Sequence, residues 1–242
     1  MTNFVVVIPA RYASERLPGK PLREINGKPM IQHVYDRGKE SRARELVVAT
    51  DDQRIADVCE AFGATVCMTG DQHQSGSERI AEVCDIMDWL DNTIVVNLQG
   101  DEPTMPAQLI DQCAALLEDS DADIGTLASP IASAEDFTNP NVVKTVVDAA
   151  GNALYFSRSS IPYESMDLAL HHHGIYAYRA GVLRRLVAAP AADLELAERL
   201  EQLRALSLGM RIRVAIPAIR PGAGVDTEAD LQAVAQQMGA AD

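Results

Sequence analysis

The sequence lacks an excess of basic residues. Among 242 residues there are 35 Asp and Glu against 21 Lys and Arg, which gives a formal net charge of −14. A general nucleic-acid binder needs basic surface to displace counterions, so the composition argues against that class and we expect no nucleic-acid partner. A small anionic ligand remains compatible with this charge if a few cations converge at one place.

Long apolar runs and a secretory signal are also missing. The longest apolar runs have the length of a strand, far below the roughly 20 residues that a membrane-spanning helix needs. The N-terminal residues do not combine a basic region, an apolar core and a small-residue cleavage site. We therefore expect no membrane partner and a cytoplasmic location.

Cysteine is scarce, and no two of the four cysteines form a C-x-x-C pair. Cys59, Cys84 and Cys113 fall in segments with helical apolar periodicity, and Cys67 falls in a strand-like run. This placement is typical of buried, reduced thiols. It argues against a disulfide or metal role and fits a cytosolic protein.

The first half of the chain alternates between apolar strands and amphipathic helices. Strand-like runs cover residues 4–8, 46–50, 65–68 and 94–98; helical periodicity covers 28–40, 52–62, 80–90 and a segment from about 106. This alternation predicts a parallel sheet covered on both faces. Ligands bind such sheets at the carboxyl ends of the strands, where the sequence places three polar stretches, residues 10–20, 50–52 and 99–102.

The pattern changes near residue 124. Strand-like pieces then dominate, followed by one periodic helix, a further strand and a closing helix; they cover 124–128, 142–148, 153–157, 174–179, 194–207, 211–216 and 227–238. No linker separates the two halves. We interpret the chain as one domain with an inserted lobe.

The loop after the first strand carries Arg11, Arg16 and Lys20 together with Gly19, against the acidic trend of the chain. Glycine allows close backbone approach to phosphates, Lys supplies a point charge, and Arg can form two hydrogen bonds with phosphate oxygens. The loop matches neither G-x-x-x-x-G-K-[ST] nor G-x-G-x-x-G. A solvated basic loop is the alternative, which its position at a strand end disfavours.

Two carboxylates follow glycine-containing turns. Asp101 lies in VNLQGDEP, where it could bind Mg²⁺ or cap the next helix, and Asp226 lies in PGAGVDT, where an N-cap is the simpler interpretation. If the two met, they would form a two-carboxylate Mg²⁺ site. The sequence leaves this open.

The second half contains three further candidates. In HHHGIYAYR, strand alternation would place His172 and Tyr176 on one face and His171 and His173 on the other, which disfavours a three-histidine metal site. Arg158 is either a surface residue or a two-pronged donor to a carboxylate. For Glu201 and Gln202, beside a stripe of Leu196, Leu200 and Leu203, a solvated helix face is the default interpretation.

Taken together, these motifs closely resemble a known family. IPARYAS-x-RLPGKPL, ATDD, HQSG-[ST]-ER, VN-x-QGDEP, NPN-x-VK, LYFSR, H-x-GIYAYR, LEQLR and GVDT occur in register over about residues 4–232. The pattern is similar to that of the 3-deoxy-manno-octulosonate cytidylyltransferases, or CMP-Kdo synthetases. Each motif alone is weak, whereas nine in order are specific.

The resemblance implies an α/β, Rossmann-like nucleotide-diphospho-sugar transferase fold, with a mixed, mostly parallel sheet. The chain would be one domain, 1–242, with an inserted lobe over about 127–205 that binds the sugar and pairs two subunits as a homodimer. The implied reaction joins CTP and Kdo to give CMP-Kdo and pyrophosphate for lipopolysaccharide synthesis.

The resemblance also assigns roles by motif position. Lys20, Asp101 and Asp226 would be catalytic, with both aspartates binding the cofactor Mg²⁺. The implied nucleotide-binding residues are Arg11, Ser14, Arg16, Lys20, Ser77 and Arg79. The implied sugar-binding residues are Gln99, Arg158, His172, Tyr176, Glu201 and Gln202.

The departures from the family pattern lie in the sugar half. The 163–170 segment is short, residue 171 is His where a basic residue is usual, and 205–209 lacks the usual aromatic bulk. Two alternatives therefore stay open: the same chemistry on an 8-amino Kdo analogue or another sugar acid such as sialic acid, and a non-catalytic nucleotide-binding module. The first loop argues against sialic acid, and the paired aspartates argue against the module.

Overall fold

The computed structural model describes residues 3–13, 16–118, 120–222 and 224–239. Over these residues the chain forms a mixed sheet with helices on both faces. In this sheet the strands of the first half are parallel, as the alternation predicted, and the antiparallel pairing comes from strands of the second half. The strands are β1 (Phe4–Pro9), β2 (Glu24–Ile25), β3 (Lys28–Pro29), β4 (Glu45–Thr50), β5 (Thr65–Met68), β6 (Ile94–Asn97), β7 (Ile124–Pro130), β8 (Lys144–Val147), β9 (Ala153–Ser157), β10 (Leu170–Arg179) and β11 (Ile212–Ala215).

The helices alternate with these strands. They are α1 (Met30–Lys39), α2 (Gln53–Ala61), α3 (Gly76–Ile86), α4 (Ala107–Ala115), α5 (Ala134–Thr138), α6 (Ala180–Ala188), α7 (Asp193–Glu198), α8 (Gln202–Ser207) and α9 (Glu228–Gly239), with short 3₁₀ turns at Lys20–Leu22 and Met166–Leu168. In the described parts of the chain, no helix combines the length and apolarity needed to cross a bilayer.

The main sheet has the strand order β11-β7-β10-β6-β1-β4-β5. Strands β6, β1, β4 and β5 are parallel, β11 is parallel to β7, and β10 runs antiparallel to both of its neighbours. All strands on this path except β10 therefore point in one direction. The β8–β9 hairpin extends the sheet beside the start of β10.

Two apolar clusters cover the two faces of the sheet. On β1 and β6, alternate residues belong to alternate clusters: Val5 and Val95 pack on one side, whereas Val6 and Val96 pack on the other. This alternation is the period-2 pattern of a strand buried on both faces. The four cysteines are free and buried within these packed layers, which confirms the expected placement of the thiols.

The helix predicted over 194–207 is wrong in one respect, because two short helices occupy this segment. Helix α7 ends at Arg199, which adopts the left-handed conformation with φ of 54°, and α8 then runs in a new direction. A buried ion pair between Glu195 and Arg204 ties the two helices together. As a result Leu196 is 64% exposed, whereas Leu200 and Leu203 are buried.

A third, smaller cluster joins the two ends of the chain. Leu17 and Ile25 pack with Val225 and with Leu231 and Val234 of the closing helix α9. The cluster lies between the first loop and the 220–227 segment. It therefore fixes the relative position of two segments that are about two hundred residues apart.

Candidate active site

An open cleft lies at the carboxyl ends of β1 and β6. We call it the outer cleft; its volume is about 790 Å³, and it is lined by Arg11, Arg16, Lys20, Arg79, Asp101 and Asp226, among others. Strand ends of a parallel sheet are where α/β folds bind ligands. The cations of the first loop therefore lie at the same edge of the sheet as Gly100 and Asp101.

Lys20 lies between the two aspartates. Its ammonium nitrogen donates to Asp101 Oδ2 at 2.8 Å and to Asp226 Oδ1 at 2.9 Å. Two carboxylates from distant parts of the chain therefore converge on one cation. Burial lowers the pKa of Lys20, but Asp101 and Asp226 outweigh that effect and raise it above its ordinary value, so the ammonium is charged at neutral pH.

The loop that carries Asp226 is held by backbone contacts. The amide of Val225 donates to the carbonyl of Asp101 at 2.9 Å. A Cβ at Gly222 would overlap the hydroxyl of Thr104 and lie 2.8 Å from its Cβ, so only glycine permits this close approach. Asp230 accepts bonds from the amides of Asp226 and Thr227, and its own amide donates to the hydroxyl of Thr227, which caps α9.

The remaining residues of the first loop face the same cleft. Arg16 Nη2 lies 3.0 Å from Asp226 Oδ1, and Arg11 is exposed on the cleft wall. The ring of Tyr12 supports the loop: it lies beneath Arg54, whose Cζ is 3.4 Å from the ring centroid, and against Gly19. Ser14 lies outside the described residues.

Arg79 and Ser77 are both on α3 but occupy different places. Arg79 is buried, lines the outer cleft, and donates to Thr69 and Gly70 while pairing with Asp51 at 3.3 Å. Ser77 lines a second, deeper cavity instead. Of these two residues, only Arg79 is brought to the cations of the first loop.

We call the deeper cavity the inner pocket. It has a volume of about 120 Å³, and its polar lining consists of Ser77, Asn97, Gln99, Tyr176, Tyr178, Glu201 and Gln202. Gly76 and Gln99 line both cavities, so the inner pocket adjoins the outer cleft. The structure thus brings Gln99, Tyr176, Glu201 and Gln202 together, although two of them were expected on a solvated helix face.

Glu201 is tied to the start of α3. The hydroxyls of Ser75 and Ser77 each donate to one of its carboxylate oxygens, both at 3.1 Å. Burial raises the pKa of Glu201, and the two serine bonds oppose part of that rise. Sequence periodicity did not reveal this burial because the break at Arg199 turns Glu201 toward the sheet.

The histidines of β10 alternate as predicted. His171 and His173 lie side by side with ring centroids 5.0 Å apart, whereas His172 lies on the other face, 5.3 Å from the ring of Tyr176. His172 is bonded to the hydroxyl of Thr126 at 3.0 Å. Burial lowers its pKa to about 3, with smaller effects from His173 and His171, so it is neutral at physiological pH.

Arg158 lies beside the turn between α7 and α8. Its guanidinium donates to three backbone carbonyls, those of Glu198, Pro140 and Arg199, at 2.9, 3.0 and 3.4 Å. The described lining of the outer cleft and of the inner pocket includes neither Arg158 nor His172. Arg158 does support the turn that presents Glu201 and Gln202.

Glu102 is a buried acid that the sequence patterns did not single out. Burial first, and then Asp101 and Asp226, raise its pKa to about 8, while Lys20 opposes the rise. Its carboxyl group is therefore largely protonated at neutral pH. It faces Gly224, where a Cβ would lie 3.1 Å from Glu102 Oε1, so it packs against the loop that carries Asp226.

The donor set of the site suits a hard cation. Asp101 and Asp226 offer carboxylate oxygens, which Mg²⁺ prefers, and both already converge on the positive charge of Lys20. In the described ranges no group of three or more His, Cys, Asp or Glu side chains has a metal-binding arrangement. A metal held here would depend on two protein ligands.

Comparison with known proteins identifies the family. A model of the cytidylyltransferase family matches residues 5–212. The structure of a CMP:2-keto-3-deoxy-manno-octonic acid synthetase complexed with CTP is 43% identical, with a TM-score of 0.93; the match covers 99% of this chain and all of that one.

Two more distant structures share the fold alone. One is a 4-diphosphocytidyl-2C-methyl-D-erythritol synthase, 17% identical with a TM-score of 0.66 over 98% of this chain and all of that one. The other, from Anaerococcus prevotii DSM 20548, is 12% identical with a TM-score of 0.66 over 99% of this chain and all of that one. The Rossmann-like fold and the nucleotidyltransferase class expected from the motifs are confirmed, and the chain belongs to the cytidylyltransferase family.

Proposed function

We propose that the protein transfers CMP from CTP to 3-deoxy-manno-octulosonate, releasing pyrophosphate and forming CMP-Kdo. The observation that carries the proposal is Lys20 between Asp101 and Asp226 at the floor of a cationic cleft. The 43% identical synthetase with bound CTP supports both the nucleotide and the sugar acid. The product would be used in lipopolysaccharide synthesis, as the family resemblance implies.

The reaction forms one bond and breaks one. The oxygen of the sugar's anomeric hydroxyl attacks the α-phosphorus of CTP, the bond from that phosphorus to the β-bridging oxygen breaks, and pyrophosphate leaves with its electron pair. The hydroxyl proton passes to solvent. Such transfers depend mainly on positioning and on stabilising charge that develops on the phosphate oxygens.

The outer cleft supplies those two effects. Lys20, Arg11 and Arg16 would hold the triphosphate, and a volume of about 790 Å³ lies in the range of small-molecule sites. Arg79 would lie toward the nucleoside. The assigned nucleotide role of Ser14 stays a prediction, as does that of Ser77, which lines the inner pocket instead.

Mg²⁺ is the proposed cofactor, with Asp101 and Asp226 as its protein ligands. Oxygen atoms of the triphosphate and of water would complete its coordination. When bound, the ion supplies positive charge to the reacting phosphate. Mutation of Asp226 to Asn should weaken Mg²⁺ binding measured by calorimetry with CTP present, and unchanged metal affinity would remove Asp226 from the ligand set.

The inner pocket is the proposed site of the sugar acid. Gln99, Tyr176, Glu201 and Gln202 line it directly, and His172 packs behind Tyr176. Arg158 would bind the sugar carboxylate if that group reaches the turn at Glu198. We further propose a cytoplasmic homodimer formed through the lobe over about 127–205.

Pyrophosphate release measured with CTP, Mg²⁺ and a panel of sugar acids tests the function. We expect release with CTP and Kdo together and none with CTP alone. Release with an 8-amino analogue but not with Kdo would assign the analogue as the substrate. This alternative is tested because the sequence departs from the family pattern in the sugar half. Tight CTP binding without turnover on any sugar acid would instead indicate a nucleotide-binding module.

A further inference from the structure

Asn97 is a polar residue in an otherwise apolar row. It ends β6, and its nearest neighbours on the same face of the sheet are Val95 on its own strand, Val7 on β1 and Tyr176 on β10. The side chain is only 2% exposed, and its Oδ1 atom has no hydrogen-bond partner among the residues that the structure describes. The position is therefore one at which an aliphatic residue would suit the fold better.

An unpaired amide oxygen in a buried site is costly, because it has lost its bonds to water without replacing them. Secondary structure does not require this oxygen, since the backbone of β6 pairs regularly with β1 and β10. A group that enters from outside the protein could supply the missing donor.

Asn97 lines a place where such a group fits. It lines the inner pocket, and Tyr176 is its direct partner across the ladder to β10, so the two side chains lie on the same face about 5 Å apart at Cβ. A Cβ at Gly76, which lines both cavities, would lie 3.9 Å from Asn97 Nδ2. Asn97 therefore lies close to the place where the inner pocket adjoins the outer cleft.

The chemistry of the pocket selects the kind of group. Its described lining contains hydroxyls, amides and the carboxyl group of Glu201, and none of these residues is basic. A carboxylate would find no cation among them, whereas a sugar hydroxyl could donate to Asn97 or Glu201 and accept from Gln202. A volume of about 120 Å³ exceeds the roughly 10–15 Å³ that one water needs, so several hydroxyl-bearing carbons fit.

We infer that Asn97 is a specificity-determining residue that accepts a hydrogen bond from a hydroxyl of the sugar acid. This inference rests on the proposed function and adds an orientation to it. The polyhydroxylated part of the sugar enters the inner pocket, and the carboxylate stays outside. A site with a buried acceptor discriminates against an analogue that lacks the donor, because the acceptor is then left unpaired.

The test compares Asn97→Leu, which is similar in size and apolar, with the wild-type protein. We expect the KM for Kdo to rise about 10- to 100-fold, the range of one lost hydrogen bond in a buried site. The KM for CTP should stay within about twofold, and the unfolding midpoint should be equal or higher because the neighbours are apolar. A merely structural asparagine would instead give a lower midpoint and an unchanged KM for Kdo, which would overturn the inference.

Asn152→Leu is the matched control. Within the described ranges, Asn152 also has a buried oxygen without a partner, but it lies in the turn before β9 and is absent from the described lining of both cavities. The substitution removes one hydrogen bond from the Asn152 side chain to Asp148. It should therefore lower stability slightly and leave the KM for Kdo unchanged. An equal rise in the KM for Kdo in both variants would show a general effect of the substitution and would count against Asn97.

A panel of monodeoxy Kdo analogues gives a second readout, and its first part uses the wild-type protein alone. Wild-type protein, titrated with each analogue in calorimetry without CTP, should lose affinity for one analogue in particular. Asn97→Leu should no longer distinguish that analogue from Kdo. Equal wild-type affinity for every analogue would overturn the inference, whereas absent pyrophosphate release by wild type with Kdo and CTP would overturn the proposed function instead.

Discussion

The outer cleft and the inner pocket adjoin each other but solve different recognition problems. The outer cleft presents Lys20, Arg11 and Arg16 on the first loop at a strand end, whereas the described lining of the inner pocket is neutral or acidic and comes from strands and from the helices that pack on them. Phosphates are recognised by charge, which loops can deliver. Hydroxyls are recognised by position, which requires side chains that the surrounding strands and helices hold in place.

The largest expected effect is that of Lys20→Ala, which removes the central charge of the outer cleft. Loss of one preorganised charge at a reacting phosphate costs about 10²- to 10³-fold in kcat, so pyrophosphate release should fall by at least that factor. Stability should change little, because part of the site is solvent-exposed. Lys28→Ala is the control, since Lys28 makes one ion pair of 2.8 Å with Asp36 outside the cleft.

Paired measurement of unfolding midpoints and pyrophosphate release decides between the roles of Lys20. A large loss of stability with normal activity per folded molecule would make Lys20 a structural residue. Recognition by charge would then no longer distinguish the outer cleft from the inner pocket.

Gly222→Ala should break the outer cleft without touching a charge. The new Cβ would overlap Thr104 and displace the loop that holds Asp226. Misplacement of a reactive group by about 1 Å can cost about 10²-fold in rate, and we expect a loss of about that size, with the KM for Kdo little changed. Gly239→Ala, where the nearest atom would be 3.5 Å away, should behave as wild type; normal kinetics of Gly222→Ala would mean that the loop is free to move.

Arg158→Lys tests whether Arg158 belongs to the sugar site. If Arg158 binds the sugar carboxylate, lysine keeps the charge but loses the paired donors, and the KM for Kdo should rise about 10- to 150-fold. CTP binding should be nearly intact. A Kdo analogue with a carboxamide in place of the carboxylate distinguishes two roles of Arg158. One role is binding of the sugar carboxylate, and the other is support of the 198–199 turn.

With a carboxylate-binding Arg158, the substitution should abolish the preference of the enzyme for Kdo over the carboxamide. With a purely supporting Arg158, whose three bonds to backbone carbonyls are its function, both ligands should lose affinity equally. A fall in CTP affinity alone would assign Arg158 to the nucleotide.

The smallest expected effect concerns the support of the first loop. Tyr12→Leu removes the cation–π contact with Arg54, and such exposed contacts contribute about 0.5–1 kcal/mol, so the KM for CTP should rise about two- to fivefold. Tyr12→Phe keeps the ring and should leave the KM for CTP unchanged. Equal effects of the two substitutions would indicate that the hydroxyl of Tyr12, and not its ring, matters.

The contrast between the outer cleft and the inner pocket also explains which parts of the site could be predicted from the sequence. Lys20 and Asp101 lie in the polar stretches that follow apolar strands, and the rule for strand ends brings these stretches to one edge of the sheet. Asp226 required the family resemblance, because no local pattern indicates that a residue 206 positions from Lys20 returns to it. The buried contacts of the third cluster, rather than any local sequence pattern, bring Asp226 to Lys20.

The inner pocket was harder to predict because its signals resemble those of the core. Glu201 was expected to be solvated, since Arg199 gives no sign in the sequence that the helix breaks there. Asn97 did leave a signal: an amide in a run of Val and Leu, with the same strand parity as Val95 and Gln99. Helix α6 was not predicted, although Val182, Leu183 and Leu186 have helical spacing and are buried.

The third cluster also has a consequence for the order in which the protein becomes competent during synthesis. Chains emerge from the ribosome N-terminus first, and folding follows that order. Every strand of the main sheet is complete once Ala215 has emerged, yet Val225, Asp226 and α9 are still to come. A nascent chain can therefore hold a finished sheet and an open, cationic cleft without its second carboxylate, and activity begins only when the last segment docks.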